Sequence, residues 1–182
     1  GIFLDLQGPK IRVGKFKNEK IRLVENTYIE ITTDPILGDE KCFSVDYPNF
    51  IKDIKVNDAL FINDGKTRVV VESIKEKRVR CKVTTGGIIS NHKGVNLPYT
   101  SLSMSAFTKK DRADAITALE INCDYIALSF VATAHDVMSF REFLNENGGE
   151  DKQIISKIER QQAVDNLDEI LKHSDAIMVA RG

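Results

Sequence analysis

The chain has 182 residues, 42% of them apolar and 29% charged, with a formal net charge of −1. That is enough for one large domain or two small ones, and the balanced charge gives no basic excess to argue for nucleic acid. No apolar run approaches the roughly 18 residues a membrane helix needs, no signal-peptide pattern is present, and the widely spaced Cys42, Cys81 and Cys123 suit free thiols in a reducing cytoplasm rather than a disulfide framework or zinc site.

"GIFLDL" reads as a buried strand with Asp5 at its end. The chain starts inside this run and stops in "DAIMVARG", which also reads as a strand, a pattern expected of an internal stretch of a longer protein. Residues 13–99 read as all-β. "KIRLV" and "YIEITT" alternate on either side of the polar break "ENT". "TRVVVESI" and "RVRCKVTT" flank "KEK" as a hairpin, with Val69 and Val71 on one face and Val79, Cys81 and Val83 sharing another. Turn chemistry recurs at Asn63–Gly65 and at Gly86–Gly87. Short strands at this spacing predict a small barrel or sandwich.

From about residue 101 the period changes to that of helices. "FTKKDRADAITALEI" places Ala113, Ile116 and Leu119 on one stripe, with Thr108 as N-cap and Asp111 in the first turn. "DYIALSFV" is an apolar run of strand length. "HDVMSFREFLNENGG" aligns Val137, Phe140 and Leu144 and stops at glycines. "QIISKIE" is the next strand. "AVDNLDEILKHSD" follows as a helix with Val164, Leu167, Ile170 and Leu171 on its face, and "AIMVARG" closes the series. Strand and helix in alternation, with near-continuous apolar strands, predict a parallel sheet. The expected fold class is α/β, a partial (β/α)8 barrel built from residues 1–12 and 100–182, with residues 13–99 inserted as an all-β domain.

Lys157 and Glu159 are two apart, so they leave their strand on the same face. In a (β/α) barrel the C-terminal strand ends carry the active site, and these two residues lie at such an end. Asp5 ends another strand, and Ser129 and Arg181 lie late in two more. A structural ion pair is the ordinary alternative. Function is favoured because buried charge is costly unless paired or useful.

"LDLQGPKIRVG", "INDGK", "HKGVNLP", "LSFV", "IISKIE" and "SDAIMVARG" occur in this order, and together they resemble the pyruvate kinase family over essentially the whole chain. The resemblance implies phosphoryl transfer from phosphoenolpyruvate to ADP, giving pyruvate and ATP. It also implies barrel strands three to six, with the β domain as a mobile lid. Lys157 then resembles the catalytic lysine beside the phosphoryl group and enolate oxygen. Glu159 resembles a carboxylate ligand of Mg²⁺ or Mn²⁺, whose partner carboxylate follows "MVARG" in the family. Ala180, Arg181 and Gly182 resemble the segment whose N–H groups receive the substrate carboxylate, and Ser129 falls among the substrate-binding positions. Arg12 and Lys93 resemble the cations that grip nucleotide phosphates, and Asp64 matches a lid aspartate facing the cleft. Asp5 and the Leu6 carbonyl match a monovalent-cation position. Many potassium-dependent relatives carry Glu where Lys10 stands, so a tethered ammonium is expected to replace K⁺ and make that ion dispensable. A cytoplasmic enzyme, homo-oligomeric and tetrameric by resemblance, is implied, with no nucleic acid or membrane as partner. These residues alone are expected to be inactive.

Three departures from the family pattern stand out. Ala132 occupies a position where many members carry arginine, Tyr99 replaces a glycine at the lid's return, and "DLQ" replaces Asp-Thr-Lys, leaving Leu6 to offer only its backbone. His92, His135 and His173 read as surface or helix-end residues, Phe140 and Phe143 as core, and Cys123 as packing. Two rival readings differ in kind: a carbon–carbon lyase or aldolase on a related enolpyruvate-binding barrel, and a non-catalytic piece. Arg12 and Lys93 argue against the lyase, which needs no nucleotide grip.

Overall fold

A computed structural model describes residues 1–180. In chain order the elements are β1 (Phe3–Asp5), β2 (Ile11–Arg12), β3 (Lys20–Leu23), β4 (Tyr28–Thr32), β5 (Cys42–Ser44), α1 (Phe50–Asp53), β6 (Ala59–Ile62), β7 (Thr67–Lys75), β8 (Arg78–Thr85), β9 (Gly87–Ser90) and β10 (Gly94–Asn96). There follow α2 (Lys109–Glu120), β11 (Tyr125–Leu128), α3 (Ala134–Glu146), β12 (Gln153–Ile158), α4 (Gln161–Asp165), α5 (Leu167–His173) and β13 (Ala176–Val179). The chain divides into two compact units, one of residues 1–9 with 104–182 and one of residues 10–103.

The first unit holds a parallel four-stranded sheet in the order β1-β11-β12-β13. Spatial order follows chain order, with α3 between β11 and β12, and α4 and α5 between β12 and β13. This is the progression of a (β/α) barrel, here a curved part of one. The core beneath the sheet gathers Leu6, Phe107, Ile126, Leu128, Val137, Phe140, Leu144, Ile154 and Ile158. Phe107 packs edge-on to Phe143 at 4.9 Å and tilted against Phe140 at 4.8 Å. Val137, Phe140 and Leu144 are the buried face of α3, as their spacing predicts.

Two helical faces differ from expectation. The buried face of α2 is Asp111, Ala115 and Ala118, not the stripe through Ala113 and Ile116, although Leu119 does touch the core. Ala115 and Ala118 are fully buried, while Ala113 is exposed. The expected helix after β12 is two short ones, broken at Asn166. Its side-chain amide donates to Ala132 O (3.1 Å) and Gln162 O (2.9 Å), a local bond that competes with helix continuation. Ala163 and Ile170 are buried there, while Val164 and Leu171 are exposed.

The second unit is all-β apart from α1. Its seven-stranded sheet runs β2-β10-β6-β7-β8-β4-β5. An antiparallel bridge between Val13 and Val45, just beyond β2 and β5, links the two outer strands and closes the sheet into a barrel. Gly14 N donates to Ser44 O (2.8 Å) and Asp46 N to Arg12 O (3.0 Å) along the same seam. The β7–β8 hairpin pairs Val69 with Val83 and Val71 with Cys81, all turned into the barrel core. β3 and β4 do not pair with each other; β3 pairs with β9 instead.

Candidate active site at the strand ends

Register brings the predicted charges together. Asp5 pairs with Ala127, and Ala127 with Ile155, so the three side chains share one face of the sheet. Two residues further along, Ser129 and Lys157 return to that face, and Glu159 follows. Lys157 Nζ donates to Asp5 Oδ1 (2.9 Å) and Oδ2 (3.0 Å), and lies 3.6 Å from Glu159 Oε1. The Lys157 and Glu159 side chains are 11% and 7% exposed, whereas Asp5 is 47% exposed. The ammonium therefore sits at the boundary between a sheltered carboxylate and an open one.

Ser129 Oγ donates to Leu6 O (2.6 Å) and stands 3.5 Å from Asp5 Oδ1. Glu159 Oε2 accepts the backbone N–H of Phe130 (2.8 Å), while Oε1 faces only the lysine among the described contacts. Phe130 has φ 57°, and nearby Gly8 has φ 65° with its N–H donating to Asp111 Oδ1 (3.0 Å). Asp111 is held in turn by the Thr108 capping box that opens α2. A Cβ on Gly8 would lie 2.8 Å from Phe130 Cδ2, so the ring rests against bare backbone. Arg160, buried at 8% exposure, lies over the other part of this cluster, its guanidinium carbon 5.1 Å from the Phe130 ring centroid.

Phe130, Arg160, Gly8 and Asp111 were not singled out as site residues from the sequence. Gly-Pro after a strand and an acidic N3 at a capping box are weak signals for two of them. A bulky residue at positive φ leaves no signal at all.

Asp5, Leu6, Ser129, Lys157 and Glu159 thus meet within the first unit. Ala180 lies just past β13, and its N–H donates to Ile158 O at 3.3 Å. Arg181 and Gly182 fall outside the described residues. Lys10, Arg12, Asp64 and Lys93 belong to the second unit. There Arg12 Nη1 donates to His92 O (3.1 Å), and Val13 N donates to Lys93 O (2.9 Å), placing Arg12 and Lys93 on neighbouring strand ends. Lys10 Cε lies 3.3 Å from the point a Cβ on Gly94 would occupy. Asp64 is exposed in the left-handed turn of Asn63, Asp64 and Gly65. Among the described residues no group of three or more His, Cys, Asp or Glu side chains could hold a metal ion, and no helix is long and apolar enough to cross a membrane.

The family model for the pyruvate kinase barrel domain matches residues 1–182. The chain is 42% identical over its full length to the pyruvate kinase of Clostridium acetobutylicum and 41% identical to that of Clostridium perfringens, spanning 38% of the length of each. It is 40% identical over 178 residues to the pyruvate kinase of Thermococcus litoralis, covering 98% of this chain and 37% of that one. The crystal structure of a pyruvate kinase from Cryptosporidium parvum superposes with a TM-score of 0.93 at 37% identity, covering 99% of this chain and 38% of that chain.

Proposed function

This chain belongs to the pyruvate kinase family, and on that premise we propose that the protein transfers the phosphoryl group of phosphoenolpyruvate to ADP, giving pyruvate and ATP in the cytoplasm. The observation that carries the reading is the Lys157 ammonium, held between Asp5 and Glu159 at the C-terminal ends of parallel strands.

Phosphoryl transfer asks little covalent chemistry of the protein. It needs positioning, and positive charge around the equatorial and leaving oxygens. As the bond between phosphorus and the enol oxygen breaks, negative charge grows on that oxygen. Lys157 brings a compact cation to it, and Asp5 sets where the cation waits. Ser129 lines the same face. The N–H groups of Ala180, Arg181 and Gly182 are assigned to the substrate carboxylate. Arg12 and Lys93 are assigned to the nucleotide phosphates, with Lys93 and Asp64 carried by residues 13–99, the lid that excludes water.

Glu159 fits a divalent metal as one ligand: its Oε2 is fixed by Phe130 N–H and its Oε1 takes no hydrogen bond among the described contacts. Mg²⁺ and Mn²⁺ suit one or two carboxylates plus phosphate oxygens and water. When bound, such an ion neutralises phosphate charge. Lys10 is assigned the charge that K⁺ supplies in potassium-dependent relatives. A homotetramer acting on these small molecules, without nucleic acid or membrane, completes the reading.

The test is the full-length protein in a coupled assay for pyruvate. Loss of phosphoenolpyruvate that requires ADP and yields ATP is expected. Loss without ADP would replace this reading with a lyase, and no loss at all would make the protein non-catalytic.

A further inference from the structure

Glu159 does not hold its own geometry. Its Oε2 is fixed by the N–H of Phe130 (2.8 Å), and Phe130 sits at φ 57°, a region bulky residues leave unless their surroundings hold them there. Two contacts do so. On one side the ring lies against Gly8, where a Cβ would come within 2.8 Å of Phe130 Cδ2. Against the ring also lies Arg160, its guanidinium carbon 5.1 Å from the centroid and its side chain buried. Arg160 directly follows Glu159 in the chain. The same strand end therefore carries the carboxylate and the cation that braces the residue bonded to that carboxylate.

We propose that Arg160 is a positioning residue which, through the ring and left-handed backbone of Phe130, fixes the carboxylate of Glu159 for a divalent cation. The inference rests on the metal-ligand role assigned to Glu159 above. Groups that orient a ligating carboxylate matter almost as much as the ligand, and losing one typically costs about 10–100-fold in metal affinity. A purely electrostatic role would have the opposite sign. A buried cation next to a metal site repels the ion, so neutralising Arg160 would then tighten binding.

The experiment is Mn²⁺ binding to the full-length protein without substrates, followed by titration calorimetry and by the electron-spin signal of free Mn²⁺. Arg160→Gln is expected to weaken Mn²⁺ about 10-fold. Arg160→Lys is expected to recover part of that, because an ammonium still sits over a ring face. Phe130→Leu, which keeps apolar bulk but loses the π face, is expected to match Arg160→Gln. The double variant is expected to be no worse than either single one, since both act through one contact.

Unchanged or tighter Mn²⁺ binding in Arg160→Gln and Phe130→Leu overturns the proposal, whatever their melting temperatures. Glu159→Gln separates the two levels. If it weakens Mn²⁺ while the Arg160 and Phe130 variants do not, only the positioning role falls. If it leaves Mn²⁺ binding intact, the metal role of Glu159 falls and the positioning role with it.

Discussion

Lys157 Nζ and Asp5 form a two-pronged ion pair, at 2.9 and 3.0 Å, that crosses from β12 to β1 over the intervening strand β11. The pair leaves Lys157 11% exposed but Asp5 47% exposed, so the carboxylate can give up the ammonium to an incoming anion while remaining in water.

Lys157→Met in the full-length protein is expected to lower kcat by about 10²–10³, the usual cost of one transition-state stabiliser, with a much smaller change in KM. Steady-state kinetics at saturating Mg²⁺ check this. A near-normal kcat would make the ion pair structural.

The proposed stand-in of Lys10 for K⁺ can be tested directly. Activity in tetramethylammonium buffer is expected to be the same with and without K⁺. Lys10→Glu is expected to create a K⁺ requirement, because a negative charge there would have to be balanced by a recruited cation. Strong K⁺ activation of the unmodified protein would sink the idea, as would a fully active Lys10→Glu variant without K⁺.

Gly8 and Gly148 both have positive φ, 65° and 77°, but only Gly8 is crowded. Gly148→Ala meets nothing within 4 Å and is expected to cost only the left-handed penalty, about 1–2 kcal/mol. Gly8→Ala adds contacts of 2.8 Å to Phe130 and 2.9 Å to Ser129, so its unfolding free energy is expected to fall by more than that of Gly148→Ala. Urea denaturation of the two variants measures the difference, and equal losses would show that the Phe130 ring yields freely.

Burial pushes the Cys81 thiol up to about 12. An unfolded cysteine ionises near 8.5, so between these values the unfolded chain loses a proton the folded chain keeps. The contribution of Cys81 is therefore fully present below about pH 8.5 and declines as pH rises towards 12. Urea midpoints from pH 8 to 10 are expected to fall, and to fall less steeply in Cys81→Ala. In the folded protein Cys81 is expected to resist alkylation at pH 8. Rapid labelling there would show that the barrel core opens.

The change from β to α/β periodicity near residue 101, the β7–β8 hairpin and the Val137, Phe140 and Leu144 stripe could all be read in the sequence, because each is a local pattern repeated over many residues. The meeting of Lys157 with Glu159 was legible too, since two residues apart on a strand means one face. The Asp5 partner was not, because its register against β12 depends on β11 lying between them. The burial of Ala115 and Ala118 rather than Ala113 was hidden for a related reason: alanine is ambivalent, and packing distance decides which one turns inward. Phe130 shows the limit most clearly, since its ring meets Gly8 and Arg160, which are distant from each other in sequence, and a positive φ leaves no local pattern.

The incoming strand of the inserted unit, β2, and its outgoing strand, β10, are hydrogen-bonded neighbours, with Ile11 opposite Val95 and Arg12 opposite Gly94. The two ends of the insert therefore leave side by side. Within residues 10–103 the chain is thus closed at its neck like a loop. Closing a loop costs free energy that grows only as the logarithm of its length. Replacing the insert by a short turn between its flanking residues is thus a small topological change for the four-stranded sheet. The insert, with its termini adjacent, has the geometry of a module that can be gained, lost or grafted whole.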